Sequence, residues 1–146
     1  MSQENVEIVK RGTEFLERRD WVGIAATGLI DPNVELHGSV GGLEEGRVLR
    51  GLGEIGQAFD AEDRDVWEEH RIEPREFIDA GDRVVVLHRE YQRGKGSGVE
   101  IVIDTASILD LRDGRIVRMQ GYVNPAEALE AVGLPPDAAN APPAAD

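Results

Sequence analysis

A chain of 146 residues with 40% hydrophobic content is one domain, large enough for a real core and a modest cavity. Its 29 acidic residues against 16 basic ones leave a formal net charge of −13, which argues against nucleic acid and against anionic membranes as partners. The absence of cysteine excludes disulfides and thiolate metal sites, and with no membrane-length apolar stretch and no signal-peptide pattern a cytoplasmic location is expected.

In chain order, Val6, Ile8, Val9, Phe15 and Leu16 recur at helical spacing while the charged residues fall mostly elsewhere, which predicts an amphipathic helix over 3–19. Asp20 caps a second, short helix that carries Trp21, Ile24, Ala25 and Leu29 until Asp31-Pro32-Asn33 ends it. A short strand is expected over 34–37 and a Gly-rich loop over 38–46. Leu52, Ile55 and Phe59 make a third helix over 51–60, weakened by Gly51, Gly53 and Gly56.

The segment 67–77 enters a sheet, with Pro74 implying an edge position or a bulge. Three apolar segments follow, 83–93, 99–111 and 115–122, rich in Val, Ile, Leu and Tyr. Ala80-Gly81-Asp82 and the run from Gly94 to Gly98 supply turns, and Asp113-Gly114 is the pair favoured in a type I′ hairpin. The fold class is therefore α+β, with an antiparallel meander covered on one face by the N-terminal helices. The domain is expected over 1–134, and the Pro- and Ala-rich residues 135–146, with nothing to bury, are expected as a disordered tail.

His37, His70 and His88 show no metal-ligand spacing, and no phosphate-cradling Gly-rich motif or serine nucleophile elbow is present, so neither metal nor cofactor is expected.

The opening residues 1–9, Arg19-Asp20-Trp21, Asp31-Pro32-Asn33-Val34-Glu35 and the stretches 77–87, 111–117 and 126–131 together resemble the SnoaL-like branch of the nuclear transport factor 2-like (NTF2-like) superfamily. The resemblance spans residues 1 to about 134. It implies an NTF2-like cone, a curved antiparallel sheet wrapped around N-terminal helices with an internal apolar pocket. It also implies a homodimer through the outer sheet face, for which Val86, Val102, Ala106 and Ile108 form an apolar stripe.

Similarity to ketosteroid isomerase around Glu90-Tyr91-Gln92, Lys95, Val117 and Met119 puts odd-numbered positions inside. They are Val85, Leu87, Arg89 and Tyr91 on one strand, Ile103, Thr105, Ser107 and Leu109 on the next, and Val117, Met119, Gly121 and Val123 on the last. Phe15, Trp21, Leu36 and Phe59 complete the expected ligand-binding set. His88 and Glu90 fall on the outer face in this register.

The isomerase base, Tyr and second Asp positions correspond to Leu36, Gly12 and Ser107, and the acidic position of SnoaL-type cyclases corresponds to Gly121. None of the related mechanisms carries over. Gly12 and Gly121 stand either for close packing or for extra cavity volume. Arg89, a guanidinium among apolar neighbours, and Tyr91 are the expected oxyanion-type donors, and His37 beside the Gly-rich loop is the expected general base. The function expected is binding of a small apolar carbonyl or hydroxyl compound by a cofactor-independent isomerase, cyclase or lyase. The alternatives are a non-catalytic ligand-binding or dimerisation module and an epoxide hydrolase-like enzyme.

Overall fold

The computed structural model describes residues 2–140. It is an α+β fold in which helices pack on a curved, open, six-stranded sheet. The helices are α1 (Ser2–Glu17), α2 (Trp21–Thr27), α3 (Gly51–Asp65) and α4 (Pro125–Ala131). The strands are β1 (Ile30–Val40), β2 (Val48–Arg50), β3 (Trp67–Asp79), β4 (Arg83–Gly94), β5 (Glu100–Arg112) and β6 (Arg115–Tyr122), in the spatial order β2-β1-β6-β5-β4-β3. Among the described residues no helix is long and apolar enough to cross a membrane.

The helical corner is built from local chemistry. Arg19 adopts a positive φ of 55° and ends α1, with the Asp20 amide donating back to Phe15 O at 3.0 Å. The Asp20 carboxylate then accepts from the Gly23 amide at 2.8 Å and caps α2, as its position in the sequence suggests. Helix α3 forms despite its three glycines because Ile55 is fully buried and Leu52 and Phe59 pack on the core. Gly56 has a packing reason: a Cβ there would lie 3.2 Å from the Trp21 ring.

The expected antiparallel meander forms over β3 to β6, but the sheet as a whole is mixed rather than antiparallel. Strand β1 runs parallel to β6 and antiparallel to β2, while β3 to β6 pair antiparallel in sequence. Strand β1 also begins earlier than expected, at Ile30. Its register shifts between Ile30 and Glu35, where Pro32 has no amide to donate and the Asn33 amide turns back to Asp31 Oδ1 at 2.8 Å. Pro74 lies on the edge strand β3 beside a second register shift, so the edge and the bulge coincide. Asp113 and Gly114 have φ of 52° and 76°, both positive as a type I′ turn requires.

The apolar interior divides into two clusters, one on each face of the sheet. Val6, Val9, Ile24 and Ile55 of the N-terminal helices meet Val84, Val86, Leu109, Ile116 and Met119 on the inner face. Val85, Leu87, Ala106 and Ile108 meet Ala128 and Leu129 of α4 on the outer face. Asn124 caps α4 by accepting from the Ala126 amide at 3.0 Å, with Pro125 at the first turn.

Two expectations are corrected by this second layer. The apolar stripe assigned to the outer surface does not exist as such, since Val86 lies inside, Ala106 and Ile108 are buried beneath α4, and Val102 stays 57% exposed. The tail expected to be disordered from residue 135 instead forms a 3-10 turn over Pro136–Asn140, with Ala138 packed on the outer cluster. Residues 141–146 of that tail lie outside the described residues.

Candidate functional site

Between α1, α3 and the inner face of the sheet lies a cavity of about 120 Å³. Leu16, Leu36, Phe59, Ile72, Val86, Leu109 and Met119 supply its apolar wall, and Thr13, Glu17, Arg19, His88 and Ser107 its polar groups.

Strand register explains why His88 is there. Arg93 pairs with Glu100 across the β4–β5 hairpin, so an even-numbered residue of β4 always stands opposite an odd-numbered residue of β5. Val86 faces Ser107 and His88 faces Thr105. Across β5 and β6 the pairing Leu109 with Met119 keeps odd beside odd, because a bulge near Asp110 offsets the parity that the tight turn would impose. The inner face therefore carries even positions on β4, odd positions on β5, and on β6 Ile116 before the bulge and odd positions such as Met119 after it.

His88 sits in a chain of hydrogen bonds that is buried at Thr105 and part-buried at its two ends. Its Nε2 lies 3.0 Å from Ser107 Oγ and its Nδ1 lies 2.6 Å from Thr105 Oγ1. Thr105 donates to Glu90 Oε2 at 2.9 Å, and His70 Nε2 reaches the other carboxylate oxygen at 3.2 Å. Burial pushes the Glu90 carboxyl up, but hydrogen bonds from His70 and Thr105, with the nearby His88 and His70 rings adding to them, outweigh it and leave it below its ordinary value. Burial lowers the His88 imidazole, with Glu90 opposing.

Those directions assign the protons. An ionised Glu90 can only accept, so Thr105 spends its one hydrogen on it and must accept from His88, whose proton is then on Nδ1. An uncharged His88 has a bare Nε2, which accepts from Ser107. The chain thus leaves a basic nitrogen at the cavity wall, backed through one hydroxyl by a carboxylate.

At another part of the wall, Arg19 donates to Asp63 Oδ2 at 3.0 Å and to Leu16 O at 3.0 Å while its guanidinium lies 4.9 Å from the Phe59 ring centre. Burial and the neighbouring Glu14 raise the Glu17 carboxyl, Arg18 opposing and Glu73 adding to it. Among the described residues no cluster of three or more His, Asp or Glu side chains is arranged to hold a metal ion.

The expected donors lie elsewhere. Arg89 is on the outer face, where Nε donates to Asp104 Oδ1 at 2.8 Å, and Tyr91, on the same face, lies beneath the Arg71 guanidinium at 4.1 Å. Their expected inward placement is corrected by the hairpin parity, which also turns Val85 and Leu87 outward into the α4 cluster. His37 follows Leu36 on β1 and so faces away from the cavity, its Nε2 2.9 Å from Glu35 Oε1.

Of the expected ligand-binding residues, the structure gathers Leu36, Phe59, Ser107, Leu109 and Met119 on the cavity wall. Thr105 stands directly behind it through His88. Phe15 and Trp21 pack on the core beside the cavity rather than lining it, and Val123 is 40% exposed. Gly121 gives no extra volume, since Ser39 Oγ would lie 2.3 Å from a Cβ placed there. Gly12 likewise marks close packing, 3.2 Å from Ile116 Cδ1. Sequence reasoning missed His88, Glu90 and His70. The available signal was the uninterrupted apolar run 84–87, which marks a strand covered on both faces and so removes the outer face as an open surface.

The SnoaL-like domain family model matches residues 9–119. No curated protein matches the chain. Among solved structures, an NTF2-like protein of unknown function from Burkholderia pseudomallei is similar at 26% identity and a TM-score of 0.68, over 91% of this chain and 99% of that one. TerC co-crystallised with polyporic acid is similar at 28% identity and a TM-score of 0.68, over 88% and 98% of the two chains. A protein with a ketosteroid isomerase-like fold from Catenulispora acidiphila, in complex with trimethylamine, reaches 21% identity and a TM-score of 0.56 over 75% and 80%, a likeness of fold alone.

Proposed function

This chain belongs to the SnoaL-like domain family, and we propose that it binds a small, largely apolar carbonyl or hydroxyl compound and moves a proton on it without a cofactor, with His88 as the base. The observation that carries this is the buried His88 imidazole, with Nε2 on the cavity wall beside Ser107 and Nδ1 joined through Thr105 to the Glu90 carboxylate.

The chemistry follows from the order of the bonds. A ligand carrying a C–H beside a carbonyl, or an acidic O–H, presents its proton to Nε2 in place of the Ser107 hydroxyl. The C–H or O–H bond breaks, the N–H bond forms, and the electron pair moves onto the ligand oxygen. Glu90 stabilises the resulting imidazolium through Thr105, and the proton then goes to another ligand carbon in an isomerisation, to the alkoxide formed when the enolate carbon closes on a second carbonyl in a cyclisation, or to the group expelled from the β-carbon in a lyase reaction. Ser107, released from Nε2, is a donor for the developing oxyanion on the same wall.

Cavity size limits the enclosed part of the ligand. A volume of about 120 Å³ is close to the apolar cavity of about 150 Å³ that holds benzene in an engineered protein, so the pocket has room for one ring. TerC, at 28% identity, was co-crystallised with polyporic acid, which makes that compound and smaller ring ketones and phenols the first ligands to try.

A non-catalytic binding module is the second reading, favoured by the apolar or small residues Leu36, Gly12 and Gly121 where related enzymes carry Asp, Tyr or an acidic residue. Exchange of carbon-bound hydrogen for deuterium in D₂O, followed by NMR over that ligand panel, separates the two. Wild type should catalyse exchange on at least one bound ketone, and His88→Gln should retain binding while losing about 10²-fold or more in exchange rate. Binding without exchange would establish the module, and no binding across the panel would remove the small-molecule function.

A further inference from the structure

The proton-transfer chemistry above leaves His70 without a task. It is nonetheless buried, its side chain only 8% exposed, on the edge strand β3 where the cavity-lining Ile72 faces Glu90 and His70 faces Gln92. His70 therefore reaches Glu90 diagonally across the strand pair, with the Trp67 ring 5.4 Å from its own. Its Nδ1 is buried with no hydrogen-bond partner among the described residues. An apolar side chain of similar size would fill this site without leaving a buried polar atom unpaired. What an apolar side chain cannot supply is the N–H that meets Glu90 Oε1.

That N–H controls the direction of the whole chain. Glu90 has two oxygens in use, Oε2 taken by Thr105 and Oε1 by His70. If the donor to Oε1 is removed, a buried carboxylate loses one of its two hydrogen bonds, and taking up a proton becomes the way to relieve it. A protonated Glu90 donates to Thr105, Thr105 then donates to His88 Nδ1, and His88 must carry its own proton on Nε2. Every hydrogen bond from Glu90 to Ser107 reverses. The nitrogen at the cavity wall changes from an acceptor into a donor, and the base is lost with no atom of the cavity wall replaced.

We propose that His70 is a positioning residue that holds the Glu90–Thr105–His88–Ser107 chain in the direction that leaves His88 Nε2 bare at the cavity. The proposal rests on the assignment of His88 as the base. Its test reads the imidazole itself and needs no ligand, so a failed search for substrates does not decide it.

The test is ¹⁵N NMR of histidine-labelled protein at one near-neutral pH, on wild type, His70→Leu and His70→Gln. The chain has three histidines, and the spectrum of His88→Gln identifies the His88 signals by their loss. In wild type, His88 should show a protonated Nδ1 and a bare Nε2. In His70→Leu that pattern should invert, and in His70→Gln, whose amide can again donate to Glu90, it should be restored. A wild-type His88 protonated on Nε2 overturns the proposal outright. So does a folded His70→Leu whose His88 keeps the wild-type pattern. Should His70→Leu not fold, Glu90→Gln serves in its place: its amide N–H can donate to Thr105, inversion is again expected, and an unchanged His88 overturns the directional role.

Discussion

Adjacent residues of a strand stand on opposite faces, and on that ground alone His88 and Arg89 have opposite surroundings. His88 is buried on the cavity wall, and Arg89 pairs with Asp104 where both partners keep solvent contact. The hydrogen bond and charge of Asp104 push the guanidinium further up, so Arg89 stays a cation with its partner already supplied by the protein. Arg89→Ala is expected to leave the affinity for any cavity ligand within about twofold of wild type by titration calorimetry, because it removes a charge on the outer face and no contact of the cavity. A tenfold loss would return Arg89 to the site. Ser107, Leu109 and Met119 lie on the side of the sheet that the sequence reading gave them. Arg89 and Tyr91 do not, because the chemistry of a side chain says nothing about its face until the hairpin pairing is known.

Elements show the same division between what pattern carries and what pairing decides. Helices α1 to α3, the four long C-terminal strands and the Asp113-Gly114 turn follow from periodicity and turn chemistry, which are local. The parallel joining of β1 to β6 and the cover of the outer face by α4 are set by contacts between distant segments. Helix α4 has only seven residues, too short to declare itself by periodicity, yet it explains why 84–87 is apolar at every position. Leu129 is fully buried in that outer layer. Leu129→Ala is therefore expected to cost about 2–5 kcal/mol in urea unfolding while leaving ligand binding in the cavity unchanged. A cost below about 1 kcal/mol would mean that α4 rests on the sheet without forming part of the core.

At the scale of the whole molecule, two effects of acid oppose each other. A net charge of −13 repels itself, and protonating carboxylates on the way to an isoelectric point near 4.6 relieves that repulsion and favours the compact state. The buried chain works the other way. His88 has its folded pKa below the ordinary 6.5, so the unfolded chain binds more protons, and the stability His88 contributes is whole above 6.5 and lost as pH falls towards the lower folded value. Glu90, also lowered, contributes stability that is whole above the ordinary 4.5 and lost as pH falls through its folded value. The windows decide which effect wins. Between pH 6.5 and about 5 few carboxylates titrate, so little repulsion is relieved, while His88 loses up to about 1.4 kcal/mol per pH unit. Urea unfolding at constant ionic strength should therefore show stability falling from pH 7 to 5, and His88→Gln should flatten that limb. Stability that rises steadily over the same range would mean that the summed surface charge, and not the buried chain, governs how this fold responds to acid.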